Sequence, residues 1–260
     1  MTTGLIAFGA YLPRARLQRA EIARAHAWVA PGLKGLARGE RTTANWDEDA
    51  VTMAVEAVRD ALRGGDAAQV SGVWMASTTF PFLDRQNAGI VSDALALPQG
   101  IATLDLASSQ RAGTSALAVA LRAAAGFDGP LVVVAAERSR TKAASTLEMT
   151  RGDGAAALVV GQGADVIARL VGQHSDAVDF VDHFRTEGSG FDYGWEERWV
   201  RDEGYLKIVP ATVRKLLEAT GVEAADIAHF IFPVAARRVA GQIAKALGIP
   251  EGSVVDNLQA

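Results

Sequence analysis

The sequence predicts a layered α/β fold in which helices cover a central sheet. Along residues 1–163, short apolar runs alternate with longer stretches whose apolar residues recur every three or four positions. The first pattern is typical of strands buried on both faces, and the second of helices with one buried face. Strands that alternate with helices favour a layered α/β domain.

The predicted strands of this part are residues 5–8, 70–75, 102–106, 131–136 and 155–160. Residues 131–136 are apolar throughout, as expected of a central strand in a sheet covered on both faces. The glycine and proline in 9–13 predict a turn after the first strand.

The predicted helices of this part are residues 18–29, 47–62, 87–97 and 113–125. The second begins with three acidic residues, which are favourable beside the positive end of the helix dipole. Because residues 113–125 are apolar on nearly all sides, we expect that helix to be buried. The glycine-rich, basic segment 32–40 is expected to be a surface loop.

After Gly163 the pattern begins again, which predicts two related halves, residues 1–163 and 164–260. The second half contains predicted strands at 166–171, 227–232 and 254–255, and predicted helices at 205–219 and 237–247. Between them, the polar and aromatic segment 175–201 predicts an excursion over a surface or pocket. The second half is the shorter, and we expect it to be incomplete.

Composition narrows the class of protein. With 260 residues and a net charge of −4, the chain has room for a core and no general attraction for nucleic acid or anionic membranes. No apolar run approaches the roughly 18 residues of a membrane span, and no leader-like start is visible, so we expect a cytoplasmic protein. The absence of cysteine excludes disulfides and thiol catalysis, and the four histidines lack metal-binding spacing, so no metal is expected.

The most distinctive segment follows the predicted strand 102–106. Ser108 and Ser109 end the strand, and Gln110 and Arg111 stand just before an apolar helix. Free backbone N–H groups and the helix dipole at such a point favour negative charge and can stabilise an oxyanion. Enzymes place a nucleophile at a turn of this kind, whereas this chain places a carboxamide there.

Five segments resemble the thiolase superfamily of condensing enzymes in order and spacing. They are residues 4–13, 47–62, 104–117, 152–157 and 229–249. The resemblance is closest to hydroxymethylglutaryl-CoA synthase of the archaeal and bacterial type and to β-ketoacyl-ACP synthase III. It implies a thiolase-like, layered α-β-α-β-α fold that pairs as a homodimer. It also implies CoA or acyl-CoA as the ligand, with no covalently bound cofactor.

The chain departs from the resembling family at the positions that carry its chemistry. Gln110 stands where the family has its nucleophilic Cys, and Thr78 where the synthases have an acid/base Glu. Val234 stands, within one residue, where the family has a His. An Asn-bearing loop of the family would follow residues 256–258, and the chain ends at Ala260.

The resemblance further implies that Arg111 contacts a CoA phosphate or pantetheine and that Lys207 lies near the CoA entrance. Arg41 adds positive charge in the early loop, where it could contact a phosphate. Each has an ordinary alternative, since Arg111 could pair with a carboxylate at the helix start, and Lys207 and Arg41 could be solvated. Thr78 could donate to a thioester carbonyl or could cap a backbone group.

Three hypotheses about function follow. The leading one is an acyl-CoA-handling subunit of an acyltransferase complex that lacks its own Cys nucleophile; by resemblance, its partner would be a small zinc-ribbon/OB-fold acyl-CoA-binding protein. The alternative is an active enzyme that condenses, cleaves or decarboxylates an acyl thioester with Gln110 and without an acyl-Cys. The third is a scaffold that binds no ligand.

Overall fold

The computed structural model describes residues 2–234 and 238–255, and all structural statements below concern these residues. The strands are β1 (Thr3–Tyr11), β2 (Ala15–Gln18), β3 (Glu40–Thr43), β4 (Gly72–Ala76), β5 (Ala102–Leu106), β6 (Leu131–Glu137), β7 (Gly154–Gln162), β8 (Ala168–Arg169), β9 (His183–Phe184) and β10 (Tyr193–Gly194). The helices are α1 (Arg19–Ala25), α2 (Ala50–Ala61), α3 (Asn87–Ala94), α4 (Ala112–Ala123), α5 (Thr146–Thr150), α6 (Glu197–Trp199), α7 (Leu206–Thr220) and α8 (Val239–Leu247).

A six-stranded mixed sheet in the order β5-β4-β6-β7-β1-β8 organises the fold. The strands β5, β4 and β6 are mutually parallel, whereas β7 runs antiparallel to both β6 and β1. The carboxyl ends of the three parallel strands therefore meet at one edge of the sheet, where ligand sites of α/β proteins commonly form.

Helices cover both faces of this sheet, as the apolar strand β6 predicts. Successive β4 residues point to opposite faces, so Val73 and Met75 pack on the side of α2, and Trp74 and Ala76 on the side of α4. Asp49 caps α2 through hydrogen bonds from the backbone N–H groups of the first turn.

The turn predicted at 9–13 is wrong over residues 9–11, because the first strand, β1, continues to Tyr11. Gly9 pairs with Ala157 of β7 inside the sheet. A Cβ atom at Gly9 would lie 2.2 Å from the backbone nitrogen of Ala61, so the glycine allows α2 to approach the strand closely rather than forming a turn.

The helix α4 is not buried throughout, which contradicts the expectation from its apolar sequence. Only Ala112, Ala116 and Ala120, spaced at four residues, are buried against the sheet, and Val119 is 49% exposed. Composition alone could not show that the outer face of this helix is left partly open. The segment 32–40 also differs from the prediction, because residues Pro31–Leu36 form a 3-10 helix with Leu33 buried.

The second half forms fewer strands than predicted. Residues 227–232 and 254–255 contribute a single parallel bridge, between Phe230 and Val254, and residues 166–171 give only the short edge strand β8. A strand forms only where a neighbouring strand pairs with it along its length, and among the described residues Phe230 and Val254 are the one pair that meets here. The predicted helices are present as α7 and α8, although residue 237 lies outside the described part of the chain. No helix among the described residues has the length and hydrophobicity needed to cross a membrane.

Candidate functional site

The candidate site lies at the carboxyl edge of the parallel strands. Thr78 follows β4, Gln110 follows β5, and Glu137 ends β6. The Ser77 N–H donates a hydrogen bond to the Leu106 carbonyl at 3.1 Å, which holds the ends of β4 and β5 together. The fold therefore brings the segments of Thr78, Gln110 and Glu137 to one edge.

Gln110 stands in a tight turn two residues before α4 begins. Ser108 has a left-handed backbone with φ of 66°, which reverses the chain after the strand. The Ser109 carbonyl accepts a hydrogen bond from the Ala112 N–H at 2.9 Å. The Ser109 hydroxyl accepts one from the Arg111 N–H at 3.1 Å. The Gln110 side chain is exposed at the start of the helix.

Glu137 is a carboxylate beside Thr78 that the sequence interpretation missed. Its oxygens accept hydrogen bonds from the Thr78 N–H at 2.5 Å, the Thr78 hydroxyl at 3.1 Å and the Thr79 hydroxyl at 2.7 Å. The signal was available, because Glu137 directly follows the predicted strand 131–136. The carboxyl ends of parallel strands share an edge.

A second layer of charge secures this edge to the hairpin formed by β9 and β10. Arg185 donates to the Thr78 carbonyl and, at 2.6 Å, to Asp192. Arg151 forms an ion pair with the other oxygen of Asp192, whose side chain is only 6% exposed. Two arginines on one buried carboxylate leave the hairpin firmly attached to the end of β4.

Arg111 lines a pocket of about 330 Å³ between α4 and α7. The guanidinium lies 3.4 Å from the Asp176 carbonyl. The pocket is lined by Arg111, Thr114, Ala118, residues 173–176, Ile208, Val209, Thr212 and Val213. The pocket therefore combines the Arg111 cation with apolar side chains of α7 and with several polar groups.

Asp176 also lines this pocket and is held to α7 by its side chain. Its carboxylate accepts hydrogen bonds from Lys215 at 2.8 Å and from Thr212 at 2.7 Å, and it lies 3.1 Å from the His174 ring. These contacts, that of Lys215 first, hold the pKa of Asp176 well below its ordinary value. The carboxylate is thus committed to α7.

The other predicted phosphate contacts lie outside this pocket. Lys207 is exposed at the start of α7 and pairs with Glu203 one helical turn earlier. Arg41 is 8% exposed, donates to the Glu148 carbonyl at 2.9 Å and lies 3.8 Å from Asp153. Because its guanidinium is buried and already contacts Glu148 and Asp153, Arg41 is not part of the candidate ligand site.

The predicted base position is apolar in its surroundings as well as in its side chain. Val234 is 8% exposed and packs with Val239 and Ile243 of α8. His229 is exposed and does not line the Arg111 pocket. Residues 256–258, which would precede the Asn-bearing loop, lie outside the described residues.

A larger hollow of about 600 Å³ lies at the opposite, amino-terminal edge of the same strands. It is lined by residues 68–71, 98, 100–102 and 126–129, and Asp128 is the one charged residue among them. It therefore lacks the grouped polar side chains of the carboxyl edge. No group of three His, Cys, Asp or Glu residues within 2–234 and 238–255 could hold a metal ion.

Comparison with solved structures defines the class. The structure matches 3-oxoacyl-(acyl carrier protein) synthase III from Pseudomonas aeruginosa with a TM-score of 0.84 at 21% identity, over 99% of this chain and 83% of that one. It matches an HMG-CoA synthase complexed with CoA with a TM-score of 0.83 at 20% identity, over 95% of this chain and 64% of that one. The fold is thiolase-like.

Comparison of sequences narrows the class to a family. Hydroxymethylglutaryl-CoA synthase of Methanocella arvoryzae is 30% identical over 236 residues, which are 89% of this chain and 67% of that protein. The enzyme of Methanosarcina mazei is 29% identical over 268 residues, which are 99% of this chain and 75% of that protein. No protein-family model matches the chain. The chain belongs to the hydroxymethylglutaryl-CoA synthase family.

Proposed function

We propose that this protein binds CoA or an acyl-CoA at the start of α4 and forms no covalent acyl-enzyme there. In this proposal it is a binding subunit of an acyltransferase complex. One observation supports the proposal most strongly: Gln110 and Arg111 lie together in the turn before α4, and Arg111 lines the pocket between α4 and α7.

The pocket suits part of an acyl-CoA. Its volume of about 330 Å³ falls within the usual range of ligand sites, roughly 300–1,000 Å³. Ile208, Val209 and Val213 offer an apolar wall for an acyl or pantetheine chain, and Arg111 offers a fixed positive charge. We assign Lys207, exposed at the start of α7, as a second contact for a phosphate.

The same residues favour binding over covalent chemistry. A carboxamide cannot act as a thiolate does, but Gln110 can donate a hydrogen bond to a thioester carbonyl beside the N–H groups at the start of α4. Both oxygens of Glu137 are occupied by Thr78 and Thr79, and Val234 offers no proton. Loss of each oxyanion donor typically costs about 3 kcal/mol of transition-state stabilisation.

Partners would cover surface that the chain leaves open. The accessible surface is 15,334 Å², compared with roughly 11,000 Å² for a compact monomer of this mass. The strand β5 forms one edge of the sheet, with Leu104 41% exposed. Unpaired edges of this kind favour association. We propose that a second copy of the chain or a small acyl-CoA-binding zinc-ribbon/OB-fold protein covers it.

Calorimetric titration with CoA and with acetoacetyl-CoA tests this proposal. We expect both to bind, and we expect Arg111→Ala to weaken both by roughly tenfold or more, because a charged hydrogen bond is lost. Arg59→Ala is the matched control, since Arg59 is exposed on α2 and pairs with Glu56. The absence of binding by the unmodified protein, or equal binding by both variants, would contradict the proposal.

A further inference from the structure

Five aromatic side chains form a continuous ladder on the hairpin β9–β10 and the segments beside it. Neighbouring ring centroids are 4.5–6.2 Å apart. In spatial order the rings are Phe184, Tyr193, Trp195, Trp199 and Phe180. Four of them are 39–56% exposed. A contiguous exposed apolar patch with a polar rim marks an interaction site.

The exposed part of the ladder is large enough to form the centre of a protein interface. Full burial of an aromatic side chain removes about 150–250 Å² from water, so four rings that are half exposed still offer roughly 300–450 Å². A stable interface takes about 800 Å² from each partner, and the ladder supplies about half of that area. Trp and Tyr are also the side chains that contribute most of the binding energy at interface centres.

The ladder is held rigidly before any partner arrives. Asp192, the residue before β10, is clamped by Arg151 and Arg185, and the Trp195 N–H donates to the Asp182 carbonyl at 2.8 Å. A fixed surface loses little conformational entropy on binding, and rigidity of this kind increases affinity.

Positive charge borders the end of the ladder that Phe184 and Tyr193 form. The N–H of Asp192, which directly precedes Tyr193, donates to the Arg140 carbonyl at 3.2 Å. This contact brings the chain around Arg140 and Lys142 against that end. Both cations are exposed, and neither forms an ion pair with another of the described residues.

Negative charge borders the opposite end of the ladder, where Trp199 stacks on Phe180. Asp179 directly precedes Phe180, and Glu197 stands two residues before Trp199. Both carboxylates are exposed, and within the described part of the chain neither forms an ion pair. The ladder therefore has a cationic end and an acidic end.

This distribution of charge is complementary to a second copy of itself. Glu187 stands near the cationic end and Arg198 near the acidic end, but Glu196 adds a further carboxylate beside Arg198, so each end keeps its sign. When two copies face each other across a two-fold axis, their ladders run in opposite directions. The cationic end of each copy then meets the acidic end of the other.

We infer that the ladder is an interface at which two copies of this chain pair face to face, with Arg140 and Lys142 of each copy against Asp179 and Glu197 of the other. Aromatic side chains then fill the centre and charges form the rim, which is the usual anatomy of an interface. The inference goes beyond the proposed function, because none of the five rings lines the Arg111 pocket or belongs to β5.

Sedimentation velocity of the full chain tests the inference. We expect the unmodified protein to associate reversibly as a dimer, or as a tetramer if the β5 edges pair as well. Trp195→Asp should weaken the association by roughly 30-fold or more and halve the mass, because it places an unpaired charge at the centre of the interface. Trp28→Asp is the matched control and should leave the mass unchanged, since Trp28 is 85% exposed and lies beyond α1.

An exchange of charges separates this interface from simple damage to the fold. At low salt, Lys142→Glu and Glu197→Lys should each weaken the association by roughly 3- to 10-fold, because like charges then face each other and every contact occurs twice in a two-fold pair. The double variant should recover most of the affinity. A monomeric unmodified protein, an unchanged mass in Trp195→Asp or a further loss in the double variant would overturn the inference and leave the proposed function intact.

Discussion

Glu137 offers the sharpest test of how the candidate site is built, through the substitution Glu137→Ala. The carboxylate accepts three hydrogen bonds, from the Thr78 N–H and from the hydroxyls of Thr78 and Thr79. A hydrogen bond to a charged group contributes about 1.5–3 kcal/mol, and the two hydroxyls can turn to water when the carboxylate is removed. We therefore expect the free energy of unfolding to fall by about 3 kcal/mol, mostly from the stranded backbone donor.

Urea unfolding followed by circular dichroism measures this loss, and a double-mutant cycle with Thr79→Val isolates one contact. The Thr79–Glu137 hydrogen bond of 2.7 Å should give a coupling energy of about 1 kcal/mol. Glu218→Ala is the control, because Glu218 is exposed on α7, and it should change stability by less than about 0.5 kcal/mol. A loss below about 1 kcal/mol for Glu137→Ala, or no coupling, would refute the proposed arrangement.

Three further outcomes are expected. The folded-state pKa of Asp176 is lowered, so its carboxylate stabilises the fold fully above the unfolded pKa of about 4, and this stabilisation is lost as the pH falls further. In urea titrations between pH 5 and pH 2, Asp176→Asn should therefore lose less stability than the unmodified protein. Gly9→Ala should lower the free energy of unfolding by about 1–3 kcal/mol, because the added methyl group overlaps α2. In the control Gly35→Ala the added methyl group meets no atom within 4 Å, so the free energy of unfolding should change by less than about 0.5 kcal/mol. The reverse order would contradict the close approach of β1 and α2. Gln110→Cys should form no condensation product from acetyl-CoA and acetoacetyl-CoA by mass spectrometry, because the apolar Val234 stands at the position expected for the base. Acetylation followed by condensation would contradict this reasoning.

The first sheet could be predicted from sequence because its strands are short apolar runs with clear ends. The strand predicted at 102–106 is β5 residue for residue, and 131–136 is β6 short of Glu137. The strand β6 is buried, and a buried strand can be recognised from its own apolar composition. The turn before α4 was equally readable, since Ser108 and Ser109 interrupt the apolar pattern at one place.

Contacts between distant segments could not be predicted in the same way. Arg41 looks like a surface cation in sequence, yet it is buried by the Glu148 carbonyl, 107 residues away. The strand expected at 227–232 is reduced to one bridge because pairing depends on a neighbour rather than on its own residues. Likewise, the contact of Thr78 with Glu137 spans 59 residues and depends on strand order.

Release of CoA shows directly whether this chain binds acyl-CoA at the start of α4 without forming an acyl-enzyme. The chain contains no cysteine, so every thiol detected comes from CoA. With acetyl-CoA and acetoacetyl-CoA present, we predict that acetoacetyl-CoA binds and that free thiol appears no faster than without protein. Faster release that Gln110→Ala abolishes would contradict the claim and make the protein an active enzyme.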